Sequence, residues 1–215
     1  MTFTEAQTYV SRALQDTSNV YWTLALVKDL INQGCQDVAR RTGFNRRWLA
    51  FDLDPAESGT ALYVPSLGYT LDEVLDLKTD LGPLCRTTVA DLSERDSDWT
   101  NTETASPTDY ATDYKPGSVL VYPAPSEALT TLAGHVTTIY PTHVDGADDL
   151  LLPAAYHVLP CYFAIAEAYE VDTESTSAQK ADRWRVKYEK GLDELGAQVA
   201  RKWNRSRPTS PPSYV

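Results

Sequence analysis

The chain has 215 residues, of which 42% are hydrophobic and 23% charged, and its formal net charge is −11. This is the balance of an ordinary globular protein, so wholesale disorder is excluded, and the length suits one domain or one domain with an insertion. No apolar run reaches the ~18 residues of a membrane span, and the first residues lack the basic and apolar regions of a secretion signal.

Charge is distributed unevenly along the chain. From residue 180 to residue 207 there are nine Lys/Arg against four Asp/Glu, whereas the rest of the chain is strongly acidic. An acidic body argues against wrapping nucleic acid, because neutralising phosphates requires a basic face. A basic end on an acidic body indicates contact with a separate, acidic partner.

Two helices are predicted in residues 1–47. Thr2 and Glu5 fit a capping box, and apolar residues recur behind them at helical spacing. A polar break at residues 16–19 offers several N-caps for a second helix, which is predicted to include Trp22. Gly43 suits a left-handed cap at the end of that helix.

The period changes in residues 48–148, which are predicted to be a β-rich insertion. Short segments such as WLAFDL, ALYVP, SVLVYPAP and HVTTIYP are rich in β-branched and aromatic residues and are separated by Gly, Pro and Asp. Residues 91–113 differ, with seven acids, one arginine and almost no aliphatic residues. This stretch is predicted to be an exposed acidic loop or arm.

Helical spacing returns near Leu150, and Pro153 suits the first turn of a helix there. Pro160 falls inside the periodic stretch, so a kink is predicted at that position. A short polar link leads to a last helix, capped by Thr176 and continuing to Trp203, which would be ~42 Å long. The two helices are expected to form an antiparallel hairpin.

The sequence therefore predicts an α+β fold, mostly a bundle of about four helices with a β-rich insertion between helices 2 and 3 and an extended C-terminal tail. Its predicted parts are residues 1–47 (N-terminal helices), 48–148 (insertion, with the acidic loop 91–113), 149–203 (helical hairpin) and 204–215 (tail). The tail is rich in proline, serine and arginine and cannot form a core of its own.

Catalytic patterns are weak in this sequence. Cys161 follows His157 by four residues, which imitates a Cys–His pair, but an apolar setting favours an inert structural thiol. Cys35, Cys85 and Cys161 are all predicted to be reduced and buried in a protein made in the cytosol. The histidines at 135, 143 and 157 are interpreted as structural or surface residues, and no phosphate-binding glycine motif is present. No catalytic residue or cofactor site is therefore assigned.

Two acidic clusters have some of the features of cation-binding sites. The first, Asp96, Asp98, Thr100 and Glu103, spaces loosely like a calcium loop but lacks the central glycine, and the second spans residues 145–149. A solvated acidic loop and a helix N-terminus explain the two sequences more simply, so no metal site is assigned.

The end of the last helix is the candidate partner interface. Trp203 stands beside arginines, and aromatic residues next to arginines are typical of contact hot spots. The candidate interface residues are Trp203, Arg205, Arg207 and Tyr214. The alternative is a solvated, frayed terminus.

Four stretches resemble the head-to-tail adaptor (connector) proteins of tailed bacteriophages. They are LPAAYH (152–157), AEAY (166–169), the strand and turn ending in YPAP (122–125), and DEVLDL (72–77). In that family the first two belong to a helix that is followed by a long amphipathic helix, the position that Trp184 and Tyr188 occupy here. The resemblance covers most of the chain in its order of elements.

The resemblance implies a structural virion protein without enzymatic activity, made in the host cytoplasm and located in the neck between capsid and tail. It implies a homo-oligomeric ring, dodecameric in the family, that binds the portal protein through the C-terminal tail and tail or nozzle proteins on the opposite side. Genomic DNA would pass through the ring without sequence-specific binding, and no membrane would be involved.

Three other functions stay open at this point. One is another neck or tail-completion protein that also assembles as a ring. Another is an enzyme acting on glycans or peptides, which requires a pocket with converging polar groups in the β-rich insertion. The last is a DNA-binding regulator, for which the only candidate recognition element is the last helix, and its basic residues alternate there with acids.

Overall fold

The computed structural model describes residues 1–53, 62–65, 70–104, 106–125, 132–143, 149–172 and 177–206, with 204–206 described by their backbone alone. The helices within these ranges are α1 (Phe3–Ala13), α2 (Leu24–Thr42), α3 (Val89–Arg95), a 3₁₀ helix (Ala154–Tyr156), α4 (Leu159–Val171) and α5 (Ser177–Ser206). The strands are β1 (Arg46–Leu53), β2 (Leu62–Pro65), β3 (Leu71–Thr79), β4 (Gly82–Thr87), β5 (Glu103–Thr104), β6 (Asp109–Ala111), β7 (Val119–Tyr122), β8 (Ala124–Pro125) and β9 (Leu132–Thr138).

The chain forms two compact units. The helical unit consists of Met1–Phe44 with Tyr140–Val215, and the barrel unit is Asn45–Ile139. The α+β class is confirmed, with strands between α2 and the later helices. The described residues of the helical unit contain four α-helices, α1, α2, α4 and α5, as predicted for the bundle, and a fifth, the short α3, lies among the strands.

Local capping signals place the first two helices. The Thr2 hydroxyl accepts from the Glu5 amide at 3.2 Å, and the Glu5 carboxylate accepts from the Thr2 amide at 2.9 Å, so the predicted capping box is confirmed. Gly43 ends α2 with φ 62°, as predicted. The predicted start of α2 was wrong, because Thr23 is its N-cap and Trp22 lies before the helix.

The buried core of the helical unit joins α1, α2 and α4. Its largest fully buried side chains include Phe3, Ile31 and Ile165. Gly34 of α2 allows a close approach, since a Cβ there would lie 2.9 Å from the Pro160 carbonyl oxygen. The two helix backbones are therefore held together at a point where no side chain fits.

The predicted kink at Pro160 was wrong. The helix α4 begins at Leu159, so Pro160 occupies its first turn, where the missing amide proton costs no helical hydrogen bond. The preceding residues form the 3₁₀ turn Ala154–Tyr156 instead of an additional length of α-helix. Proline therefore starts this helix and does not bend it.

The helices α4 and α5 pack antiparallel. Contacts pair Leu159 with Gly191 near the start of α4, Phe163 with Tyr188 in the middle, and Glu167 with Arg185 further on. Because positions rise along α4 as they fall along α5, the helices run in opposite directions. The predicted cap Thr176 lies outside the described residues.

A closed barrel of seven strands forms the second unit, in the order β1-β2-β7-β6-β4-β3-β9, with β9 pairing back onto β1. All neighbouring pairs within it are antiparallel except β4 with β6. Side chains alternate along β1, with Leu49 and Phe51 buried and Trp48 exposed. The interior is a packed apolar core in which Tyr110 is 2% exposed.

The predicted acidic loop at 91–113 is corrected. This stretch contains most of α3, the short strand β5 and the barrel strand β6. Its acids lie largely on the outside, whereas Leu92, Tyr110 and Ala111 are buried. A few apolar residues with partners far along the chain are sufficient to order it.

Candidate assembly interface

The C-terminal helix α5 is the most extended element of the helical unit. It has 30 residues, which corresponds to ~45 Å at the rise of an α-helix. One face is buried against the rest of the unit through Ala181, Tyr188, Leu192 and Leu195. The opposite face is available for contacts with other molecules.

Polar contacts fix α5 onto α2. The Tyr188 hydroxyl donates to Asp37 Oδ2 at 2.6 Å, and burial, together with this carboxylate, raises the pKa of Tyr188. The next residue of α5, Glu189, accepts from the Arg41 guanidinium of α2 at both carboxylate oxygens, at 2.8 and 2.6 Å. That bidentate pair holds the pKa of Glu189 below its usual range.

A further ion-pair group fixes α5 onto α4. The Arg185 guanidinium reaches Glu170 at 2.6 Å and Glu167 at 3.1 Å, and these acids raise the pKa of Arg185. Above them the Trp184 ring lies against Tyr162, with Lys187 Nζ 4.0 Å from the indole centroid. Charged and aromatic contacts thus hold the helix in one rotational setting.

The predicted interface residues fall partly on this helix. Trp203 lies on α5 and is partly buried, and Arg205 belongs to the last turn of the helix, so residues 204–206 are helical and not part of an extended tail. Arg207 and Tyr214 lie outside the described residues. The four positions therefore remain a prediction as an interface.

Sequence reasoning missed an exposed valine on the outer face of α5. Val186 is 69% exposed, whereas the apolar residues at 181, 188, 192 and 195 on the same helix are buried. The signal was present, because Val186 falls out of step with the apolar spacing of the buried positions.

A second missed feature is an apolar loop between α1 and α2. Asp16 accepts hydrogen bonds from the amides of Val20, Tyr21 and Trp22 at 3.0, 2.7 and 2.7 Å, and these amides, Trp22 first, lower the pKa of Asp16. Trp22 is buried, yet Val20 is 82% and Tyr21 73% exposed. The loop thus holds two large apolar side chains in solvent.

The Cys161–His157 pair does not form a catalytic dyad. Cys161 is fully buried, and its Sγ points to the backbone carbonyl oxygens of His157 and Ala6, each at 3.9 Å. Burial raises the pKa of Cys161, and that of Cys35, to about 12, so both thiols stay protonated at neutral pH. Cys85 is exposed, so the prediction that all three thiols are buried was wrong.

The three histidine rings contact groups typical of structural histidines. His157 Nε2 lies 2.7 Å from the Leu152 carbonyl oxygen, and His143 Nε2 lies 3.0 Å from the Tyr140 hydroxyl. His135 Nδ1 lies 3.0 Å from the Asp76 carboxylate. The three rings lie apart from one another in the chain and share none of these partners.

The first acidic cluster uses its carboxylates within the fold. Asp96 accepts from the hydroxyls of Thr102 and Tyr122 at 2.6 and 3.0 Å, with Thr102 the main cause of its lowered pKa. Residues 145 and 148 of the second cluster lie outside the described part of the chain. Within the described ranges no group of three or more His, Cys, Asp or Glu is arranged to hold a metal ion.

Among the described residues, none of the helices is both long enough and apolar enough to cross a bilayer.

The model of the SU10 adaptor protein family matches residues 1–212 of the chain. No curated protein matches it.

Proposed function

We propose that the chain forms the ring that joins the portal to the tail of a virion. The premise is that the chain belongs to the SU10 adaptor protein family, a family of phage head–tail adaptors. The observation that carries the proposal is the match of the family model to residues 1–212. An adaptor role in the phage virion follows from the family, and the ring, its neighbours and its place in the neck are our proposal. It would be made in the host cytoplasm.

The helical unit supplies the rigid part of such a ring. Tyr188 and Glu189 of α5 bond to Asp37 and Arg41 of α2, and Arg185 bonds to Glu167 and Glu170 of α4. A helix fixed on two sides makes the unit rigid, and repeated subunit contacts require a rigid unit. We propose a homo-oligomer of twelve copies.

The charge of the chain suits a DNA conduit. The net charge is −11, and the acids lie mainly outside the basic segment 180–207. A wall of like charge repels phosphates, so DNA would move through the ring without sequence-specific binding.

The C-terminal end is the proposed portal contact. It carries Trp203 together with Arg205, Arg207 and Tyr214, and aromatic and arginine residues dominate interface energetics. Tail or nozzle proteins would bind on the opposite side of the ring.

The test is the native mass of the purified chain and of the neck complex isolated from virions, measured by light scattering and by electron microscopy. We expect a closed ring, alone or in the neck complex, beneath the portal. A monomer in both settings would overturn the ring.

A second measurement compares portal binding by the full chain and by a chain lacking residues 207–215, with Arg12→Ala on α1 as control. Equal binding by all three would remove Arg207 and Tyr214 from the proposed portal contact.

A further inference from the structure

Six exposed residues form one straight stripe on the outer face of α5. The spacing between them is four, four, three, four and four residues, which keeps them on one side of an α-helix. The six, all exposed, are Asp182, Val186, Lys190, Asp193, Ala197 and Arg201.

The charged side chains of the stripe form no ion pairs with other described residues of the chain. In the described ranges no ion pair involves any of its four charged side chains, in contrast to Arg185 and Glu189 on the inner side of the same helix. Its apolar member Val186 is 69% exposed. Beside its C-terminal half lies an open groove of about 650 Å³, lined by Tyr156, Asp193, Glu194, Ala197, Gln198 and Arg201. The stripe therefore offers both unpaired charge and room for incoming side chains.

The order of residue types along the stripe is complementary to its own reverse. Read forward it is acid, apolar, base, acid, apolar, base, so reversing the direction places every acid opposite a base. With the centre between Gly191 and Leu192, Lys190 faces the partner's Asp193 and Val186 faces the partner's Ala197. Asp182 then faces the partner's Arg201.

We propose that α5 docks antiparallel onto α5 of a second copy of this chain through this stripe. The arrangement forms four ion pairs and two apolar contacts over ~28 Å of helix. Parallel docking in register would place Lys190 on the partner's Lys190 and each acid on an acid, which like-charge repulsion opposes. Charge complementarity therefore selects both the occupant and its direction.

Size and charge determine how such a pair behaves. A single helix-on-helix contact is smaller than a standard stable interface, and exposed ion pairs contribute little each, so the pair is weak and salt-sensitive. A two-fold contact closes on itself and builds no cyclic ring. The pair is a separate association of two chains, and the proposal does not depend on the adaptor ring.

Cross-linking tests the direction of docking. In a full-length Cys85→Ser background, which removes the exposed native thiol, Val186→Cys and Ala197→Cys are prepared as separate proteins and treated with a short bismaleimide. We expect a cross-linked dimer from the mixture and none from either variant alone, because the two copies of position 186 would lie ~16 Å apart along the helix. Self-cross-linking of Val186→Cys would show parallel docking, and no cross-link in the mixture would show no docking; either overturns the proposal.

Charge reversal tests the ion pairs by an independent readout. Lys190→Glu should weaken dimerisation about tenfold in sedimentation equilibrium at low salt. Lys190→Glu combined with Asp193→Lys should restore it, since each pair is then inverted. Arg12→Glu makes the same charge change at an exposed position on α1 and should leave dimerisation unchanged. A strict monomer at low salt, or equal loss in the single and double variants, would refute the stripe; neither result bears on ring formation in the neck complex.

Discussion

The Tyr188 hydroxyl lies 2.6 Å from Asp37 Oδ2 and ties the long helix α5 to α2. Tyr188 is 3% exposed, so its ring is a core side chain whose polar end meets a carboxylate at the rim. Tyr188 therefore has two effects on α5. Its buried ring fixes how closely the helix packs on the core, and its hydrogen bond fixes the rotation of the helix about its own axis.

Replacing Tyr188 by Phe should therefore destabilise the helical unit. Hydrogen bonds to charged groups contribute about 1.5–3 kcal/mol, and partial hydration of Asp37 reduces the loss here to about 1–2 kcal/mol. The measurement is urea unfolding followed by tryptophan fluorescence. Tyr169→Phe is the matched control, since its hydroxyl reaches the Ala13 carbonyl oxygen at 3.4 Å and its loss should cost no more than about 0.5 kcal/mol. Equal effects of the two variants would contradict the role of Tyr188.

Two helical glycines should respond oppositely to alanine. Gly34→Ala places a Cβ 2.9 Å from the Pro160 carbonyl oxygen and 3.0 Å from its Cα, and backbone atoms do not yield easily. We expect a net destabilisation of about 1–3 kcal/mol. At Gly196 a Cβ meets nothing within 4 Å, so Gly196→Ala should stabilise by about 0.5–1 kcal/mol through helix propensity alone. Thermal melts of the two variants give the comparison, and stabilisation by both would show that α2 and α4 do not approach closely at Gly34.

Local signals in the sequence predicted the helix ends well where the whole signal lies within a few residues. The capping box at Thr2 and Glu5 and the left-handed cap at Gly43 depend only on neighbouring backbone, and both are confirmed. The periodic spacing of α5 likewise predicted its length to within a few residues. Such features need no knowledge of tertiary partners.

Features that depend on distant partners were not predictable in the same way. Pro160 would kink a helix only if the residues before it were also α-helical. The preceding residues instead form a 3₁₀ turn, so α4 begins next to the proline. Tyr110 is surrounded by acids in sequence, yet its strand pairs in parallel with β4 and antiparallel with β7. The exposure of Tyr21 beside the buried Trp22 depends on core contacts with residues distant in the chain, and spacing alone does not give those.

Thiol labelling should distinguish the three cysteines in native protein. Cys85 is exposed and should react rapidly with a maleimide or an aromatic disulfide at pH 7. Cys35 and Cys161 should not react, because burial blocks access and raises the pKa of each thiol to about 12. One labelled thiol before unfolding and three after it is the expected mass-spectrometric result. Cys85→Ser should abolish the native labelling, and rapid labelling of Cys161 would reopen a reactive role for that residue.

Acid should release the apolar loop that Asp16 holds. Amide donors from Val20, Tyr21 and Trp22 lower the pKa of Asp16 in the folded chain, the Trp22 amide most strongly. A depressed folded pKa means that the stabilisation is fully present above the ordinary aspartate pKa and is lost as the pH falls through the lowered folded value.

The measurement is the chemical shift of these three amides against pH, with their hydrogen exchange at neutral pH. Asp16→Ala should abolish the acid transition and speed exchange of all three amides, because their acceptor is gone. Asp29→Ala removes an exposed acid of α2 and should change neither readout. Equal exchange rates of the Val20 and Tyr21 amides in the Asp16→Ala variant and the unaltered chain would contradict this role. The burial of Trp22, and not the carboxylate, would then hold the loop conformation that exposes Val20 and Tyr21.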